Sequence, residues 1–224
     1  MRFGRLPHFP TRVAQAQVHV YAAGTVPRSL DRSAIPFRPK LFANDRYGDC
    51  TFASATNSRR AQNWLRNGTD WVTDEAHVVA SFAACAGIPN NDAALQSSPG
   101  LRMLDVIDYA QGRGIDMGNQ TIEVPVASSV QATDRIGMAH AIGTGGGWIG
   151  VNLTQADIDA LQNRAPLSGT PVGPTVAGHA LMGWDYTGLR DTDTVRLATY
   201  DFFADADWAW LASRTMEAYC LDWS

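Results

Sequence analysis

Hydrophobic and polar positions change rhythm near the middle of the chain. In the first half apolar residues recur at helical spacing; in the second they alternate or gather in short runs, as in strands. A helix is expected from Cys50 to about Arg66, with Phe52, Ala53, Ala55, Ala61, Trp64 and Leu65 on its packed side and Asn67-Gly68 as the stop. Thr73 is expected to cap a second helix with Asp74 and Glu75 in its first turn. That helix runs through Val78, Val79, Phe82 and Cys85 to Gly87, with Cys85 in the core. Residues 88–99 read as a polar loop, and a third helix spans roughly Leu101 to Gln111.

The later elements are shorter. Thr121–Val126 is strand-like, with Pro125 arguing for a sheet edge. A helix follows around Ser129–Ile142, ending near His140, a dipole partner for its last turn. Gly143–Gly147 then leads into a strand at Trp148–Leu153; the order helix, glycines, strand makes this a turn, because a phosphate cradle needs a helix after the glycines. A short helix, Thr154–Gln162, and a loop rich in Pro, Gly and Ser precede a hairpin made by Val176–Tyr186 and Thr194–Tyr200. Asp201–Trp223, with Trp208, Trp210, Leu211, Met216, Tyr219 and Cys220, is read as a closing helix. Helices first and strands second make an α+β fold.

Residues 1–40 stand apart. Five prolines (Pro7, Pro10, Pro27, Pro36, Pro39) exclude long helices, and Ala14, Ala16, Val18 and Val20 alternate with polar or aromatic neighbours as in one strand. The remainder of this arm is expected to lie extended on the body or on a partner, with His8 and His19 at the surface. Its seven basic residues against one acidic give net +6, so the rest of a chain of net charge -4 carries -10. Such an arm suits an acidic surface, including that of a second copy or of another protein. The remaining chain has no basic platform for nucleic acid. No apolar run reaches the ~18 residues of a membrane span, and no signal-peptide core follows Met1. Synthesis in a reducing cytoplasm is the expectation. Three cysteines at unrelated spacings form neither a disulfide framework nor a zinc pattern, and the five histidines, His77 among them, are scattered. Neither metal nor cofactor is implied.

One stretch carries chemistry. Asn44-Asp-Arg-Tyr-Gly-Asp-Cys50 is a polar turn that delivers a thiol to the first turn of a helix, where unpaired amides and the dipole favour the thiolate. A lone cysteine there is more often a small buried hydrophobe. A nucleophilic cysteine also needs a base, a group to orient that base, and donors for the oxyanion. His179, about 130 residues later at the start of a strand, fits the base.

The residues around both positions resemble those of the papain superfamily. Asn44, five residues and Cys50, with Gly48 two before the cysteine, is similar to the family's Gln-to-Cys motif. Gly178-His179-Ala-Leu-Met-Gly183-Trp184 is similar to its histidine strand. Tyr47-Gly48-Asp49-Cys50, Met103–Tyr109 leading to Gly114-Ile115, Gly147–Leu153, and Trp208 with Met216–Tyr219 look like the papain-like proteins encoded by bacteriophages and prophages. The resemblance implies a papain-like domain at 41–224, with a helical half (41–118) packed on a β-rich half (119–224), behind the arm. It implies Cys50 as nucleophile, His179 as general base, and an oxyanion hole from the Cys50 amide and the Asn44 side chain, one methylene shorter than glutamine. Where the family has its orienting asparagine this chain has Ala198. Asp201 is either its acidic substitute or only a turn residue. Two functions follow: a thiol hydrolase acting on a peptide or protein, or a phage virion component using the fold for interaction with little turnover. Acyl transfer of the transglutaminase kind, which shares the Cys–His–Asp order, is the third.

Overall fold

The computed structural model describes residues 1–7, 26–71, 73–116, 121–122, 126–169 and 173–223. The strand expected at 14–21, and with it His8 and His19, falls outside them.

The helical half begins with α1 (Cys50–Asn67), which stops where Gly68 adopts the left-handed conformation (φ 68°) that a C-cap requires. Helix α2 (Glu75–Ala86) is capped by Asp74, whose carboxylate accepts from the His77 amide; the capping residue is thus one later than Thr73. The loop expected at 88–99 contains a short helix, α3 (Asp92–Ser97), capped by Asn91, and α4 (Met103–Arg113) follows. Two-residue strands β1 (Ile115–Asp116) and β2 (Thr121–Ile122) pair beside this half.

The second half is one antiparallel sheet in the order β3-β8-β4-β5-β6-β7. Its members are β3 (Val126–Ser129), β4 (Gly147–Leu153), β5 (Ala177–Tyr186), β6 (Thr194–Thr199), β7 (Phe202–Asp207) and β8 (Thr215–Asp222). Pro125, expected at a sheet edge, lies outside the described residues, and β3 is an edge strand. Helix α5 (Arg135–Gly143) starts at an Asp134 cap, later than expected, because Ser129 belongs to β3. Helix α6 (Gln155–Gln162) carries a capping box between Thr154 and Asp157. The closing helix expected at 201–223 is instead β7, a two-turn α7 (Trp208–Arg214) and β8. Strand β8 lies between β3 and β4 and is buried on both faces from Glu217 to Leu221, so its apolar run shows no alternation. Among the described residues no helix is long and apolar enough to cross a membrane.

The halves meet along α1, which packs on β5 and β4. Its face toward the sheet is polar: Ser54 accepts from the Trp148 indole at 2.7 Å, Ser58 donates to Gly145 O at 3.0 Å, and Gln62 donates to Leu221 O at 2.5 Å. These positions, four residues apart, form one stripe that bonds to the sheet side, while the Ser54 hydroxyl also donates back to Cys50 O at 2.6 Å. Small residues on this stripe let α1 approach closely enough to fix Cys50 against β5. The described end of the arm also lies on the body: Leu30 pairs with Tyr186, and Arg32 stacks on Trp184 while donating to the Ile142 and Trp184 carbonyls.

Candidate active site

The turn before α1 is tightly wound. Phe42 and Ala43 hold left-handed φ of 50° and 67°, unusual for side-chain-bearing residues, and the Ala43 carbonyl accepts from both Arg46 and Tyr47 amides. Asn44 is buried in this turn, with its side-chain oxygen unpartnered. Asp49 and Cys50 are both 0% exposed. Burial pushes the Cys50 thiol up to about 11, against the pull of the Gly4 and Ala180 backbone N–H groups that hydrogen-bond the sulfur. The helix start therefore does not by itself make a thiolate: desolvation outweighs it. Burial also raises the Asp49 carboxyl well above its ordinary range, and neither of its oxygens has a side-chain partner.

His179 stands on β5, one residue before the Ala180 amide that reaches the thiol. Its Nε2 is 2.8 Å from Thr199 Oγ, while Nδ1 has no hydrogen-bond partner. Tyr200 stacks on the imidazole (centroids 5.1 Å apart, planes at 19°), and Phe3 meets it edge-on at 5.2 Å. Burial, with a smaller push from Arg5, lowers the histidine pKa to about 3. With the Thr199 oxygen accepting from Nε2–H, Nδ1 keeps the lone pair that a base needs.

Thr199 is the residue that sequence reasoning missed. Met182 pairs with Ala198, so Leu181 and Thr199 share the sheet face that also carries His179. Two residues further, Asp201 would lie on the same face, but Tyr200 takes a left-handed φ of 49° and ends the strand there. Asp201 is exposed, with Arg164 at 4.0 Å. The available signal was a hydroxyl on the strand opposite His179, legible only once the register is known.

Residues 1–7 form a strap over this site. Leu101 N–H donates to Gly4 O at 2.8 Å, Leu6 N–H to Leu101 O at 2.9 Å, and Arg5 N–H to Gly178 O at 3.3 Å, so the strap is bonded to both halves. Four glycines make the close approach possible. A Cβ at Gly4 would sit 1.9 Å from Gly48 O, one at Gly100 1.3 Å from Gly4 O, and one at Gly178 2.3 Å from Arg5 O. Gly48 itself lies flush against the Gly4 Cα. The Tyr200 hydroxyl donates to Arg2 O at 2.6 Å and the Arg102 guanidinium to Pro7 O at 3.0 Å. Under this cover His179 is also 0% exposed. No group of three or more His, Cys, Asp or Glu capable of holding a metal ion occurs among the described residues.

No protein-family model and no curated protein sequence matches the chain. Solved structures do. Xylellain, a cysteine protease from Xylella fastidiosa, superposes with a TM-score of 0.71 at 12% identity, covering 99% of this chain and 96% of that one. Procathepsin B S9 from Trypanosoma congolense gives 0.68 at 10% identity (99% and 86%). Procathepsin L2 from the larval midgut of Tenebrio molitor gives 0.65 at 15% identity (98% and 78%). The fold is that of the papain-like cysteine proteases.

Proposed function

We propose that this chain is a thiol hydrolase of peptide or amide bonds, held closed by its own residues 1–7. The observation that carries the reading is a buried thiol and a buried imidazole, both beneath a segment bonded, like a bound peptide, to both halves of the fold. In the open state His179 Nδ1 takes the proton of Cys50 Sγ, and the thiolate attacks the substrate carbonyl carbon. The oxyanion is met by the Cys50 amide at the helix start and by the Asn44 side-chain NH₂. The imidazolium returns its proton to the leaving amine, and water then releases the acid from the thioester with His179 again as base. The strap escapes this chemistry because it offers the sulfur the Gly4 N–H.

A second reading, a papain-like fold kept for interaction in a phage particle with little turnover, draws on the unpartnered Nδ1 of His179 and the unpartnered buried Asn44 oxygen. Alkylation separates the two. A hydrolase whose strap is loosened by Gly4→Val labels at Cys50 with iodoacetamide much faster than the exposed-thiol control and hydrolyses a peptide library, losing both with Cys50→Ala. Labelling no faster than the control, with no cleavage, leaves the interaction reading.

A further inference from the structure

The strap's side chains are as informative as its backbone. Arg5 is buried (4% exposed), and its guanidinium enters a pocket of the β half. Nη1 pairs with Glu217 Oε1 at 2.9 Å; Nη2 donates to Asn152 Oδ1 at 2.6 Å and to Val151 O at 3.3 Å. Glu217 does not depend on the strap for its position, because it belongs to the inner strand β8 and its second oxygen accepts from the Tyr219 hydroxyl at 3.0 Å. Gly150 clears the space for the arginine stem: a Cβ there would lie 3.0 Å from Arg5 Cδ and 2.9 Å from Glu217 Cγ. The strap's own Leu6 carbonyl also accepts from Nη1 at 3.3 Å, but Glu217, Asn152, Val151 and Gly150 are all parts of the body. Beside them an open cavity of about 310 Å³, lined by Asn152, Val176, Gly178 and Met216 among others, continues the groove along the strap. Val176 and Met216 are exposed there (53% and 42%).

When the strap leaves, Glu217 remains as a buried carboxylate without its cation, a costly state that a second guanidinium relieves. A planar two-pronged acceptor set, carboxylate on one side and amide and carbonyl oxygens on the other, matches arginine better than lysine. We propose that the Glu217–Asn152–Val151 pocket is an arginine-selecting subsite for peptides bound in the groove, and that Arg5 is the internal occupant that takes the place of such a ligand. The assignment of the peptide as a substrate rests on the hydrolase reading above; the pocket's selectivity does not.

The test is binding in trans to the full chain. The receptor carries Cys50→Ala, to exclude turnover, with Gly4→Val and Arg5→Ala to unseat the strap; folding is checked by circular dichroism. Should that chain fail to fold, the receptor is Cys50→Ala with Gly4→Val alone, which keeps every side chain of the pocket. The probe is fluorescent acetyl-Phe-Gly-Arg-Leu-amide, read by anisotropy against the same peptide with norleucine or lysine for arginine. The arginine peptide is expected to bind at least about 30-fold more tightly than the norleucine peptide, with lysine between, and Glu217→Gln in the receptor is expected to bring that ratio to within about threefold. Equal binding of arginine and norleucine peptides, no binding to a folded receptor, or a ratio indifferent to Glu217→Gln overturns the proposal. Arginine-selective binding in a protein whose Cys50 neither labels nor cleaves sinks the hydrolase reading and leaves the pocket standing. A cleaving enzyme that ignores arginine does the reverse.

Discussion

His179 on β5 and Thr199 on the neighbouring β6 lie on one face of the sheet, two positions apart in register, and the 2.8 Å bond between Nε2 and the Thr199 hydroxyl is the ring's one side-chain hydrogen bond among the described residues. Under the proposed hydrolase reading it selects which nitrogen remains free for Cys50. In that reading Thr199 is a positioning residue: it touches the proposed base and not the reacting atoms. Thr199→Val keeps the shape and removes the acceptor, so the alkylation rate of Cys50 and any turnover should fall about 10- to 100-fold, part of what a positioned base contributes. Thr199→Ser should restore most of the loss, and the pH profile of alkylation should shift in the valine variant only. An unchanged profile with Thr199→Val would mean that the hydroxyl merely fills space.

Gly4 is the position where the strap is most sensitive to a single atom. Any side chain there meets the Gly48 carbonyl, which is backbone on a wound turn and has little room to yield. Gly4→Val should therefore shift the strap toward the open state and speed iodoacetamide labelling of Cys50 at least about tenfold at neutral pH. The apparent thiol pKa should move down from about 11 as water reaches the sulfur. A labelling rate and pKa equal to those of the unaltered chain would show that the strap does not control access.

Opening should also depend on pH, from both sides. Closed, His179 titrates near 3 instead of the ordinary 6.5, because of burial and then Arg5; the open form binds a proton more readily, so acidification below about 6.5 favours opening. Cys50 is shifted the other way, from 9.0 to about 11 by burial. The open form loses its proton more readily, so alkalinity above about 9 also favours opening. Each limb has a limiting slope of about tenfold per pH unit. Hydrogen-exchange protection factors of the Leu6 and Leu101 amides, which hold the strap, should therefore peak between about pH 6.5 and 9. Protection flat from pH 4 to 7 would contradict the assignment of a buried neutral imidazole beneath the strap.

Much of this could be read from the sequence, and the exceptions share a cause. The Cys50 helix and its Gly68 stop, the β5–β6 hairpin and the helical-then-sheet order all rest on local periodicity and end signals. What escaped depends on residues far apart in sequence. Gly4, Gly48, Gly100 and Gly178 look ordinary in isolation, and only their meeting shows that residues 1–7 thread the groove. Thr199 needed the strand register, and Asp201 was displaced from the site by one left-handed residue, Tyr200. Strand β8 reads as helical in the sequence because burial on both faces erases the alternation that distinguishes a strand. The same burial reversed the expected effect of the helix start on Cys50.

Asp49 makes that last competition measurable. It sits immediately before Cys50, fully buried, with both oxygens unpartnered and its carboxyl raised by burial first and by the nearby Glu75 and Asp45 next. The folded chain thus holds a proton there that the unfolded chain releases above its ordinary value near 3.8. The sign follows: this group's contribution to stability is fully present below about pH 3.8 and is lost as pH rises toward the folded-state value, by up to about 1.4 kcal/mol per pH unit. Asp49→Asn has nearly the same shape and nothing to ionise. Urea denaturation of the two proteins should give similar stabilities at pH 4 and a growing advantage for the asparagine variant at pH 6 and then pH 8. Removing the carboxylate should also lower the Cys50 pKa slightly, since Asp49 raises it. If Asp49→Asn proves less stable at pH 8 than the unaltered chain, the carboxylate is ionised and partnered in the folded protein, and the turn before α1 holds its thiol by charge rather than by desolvation.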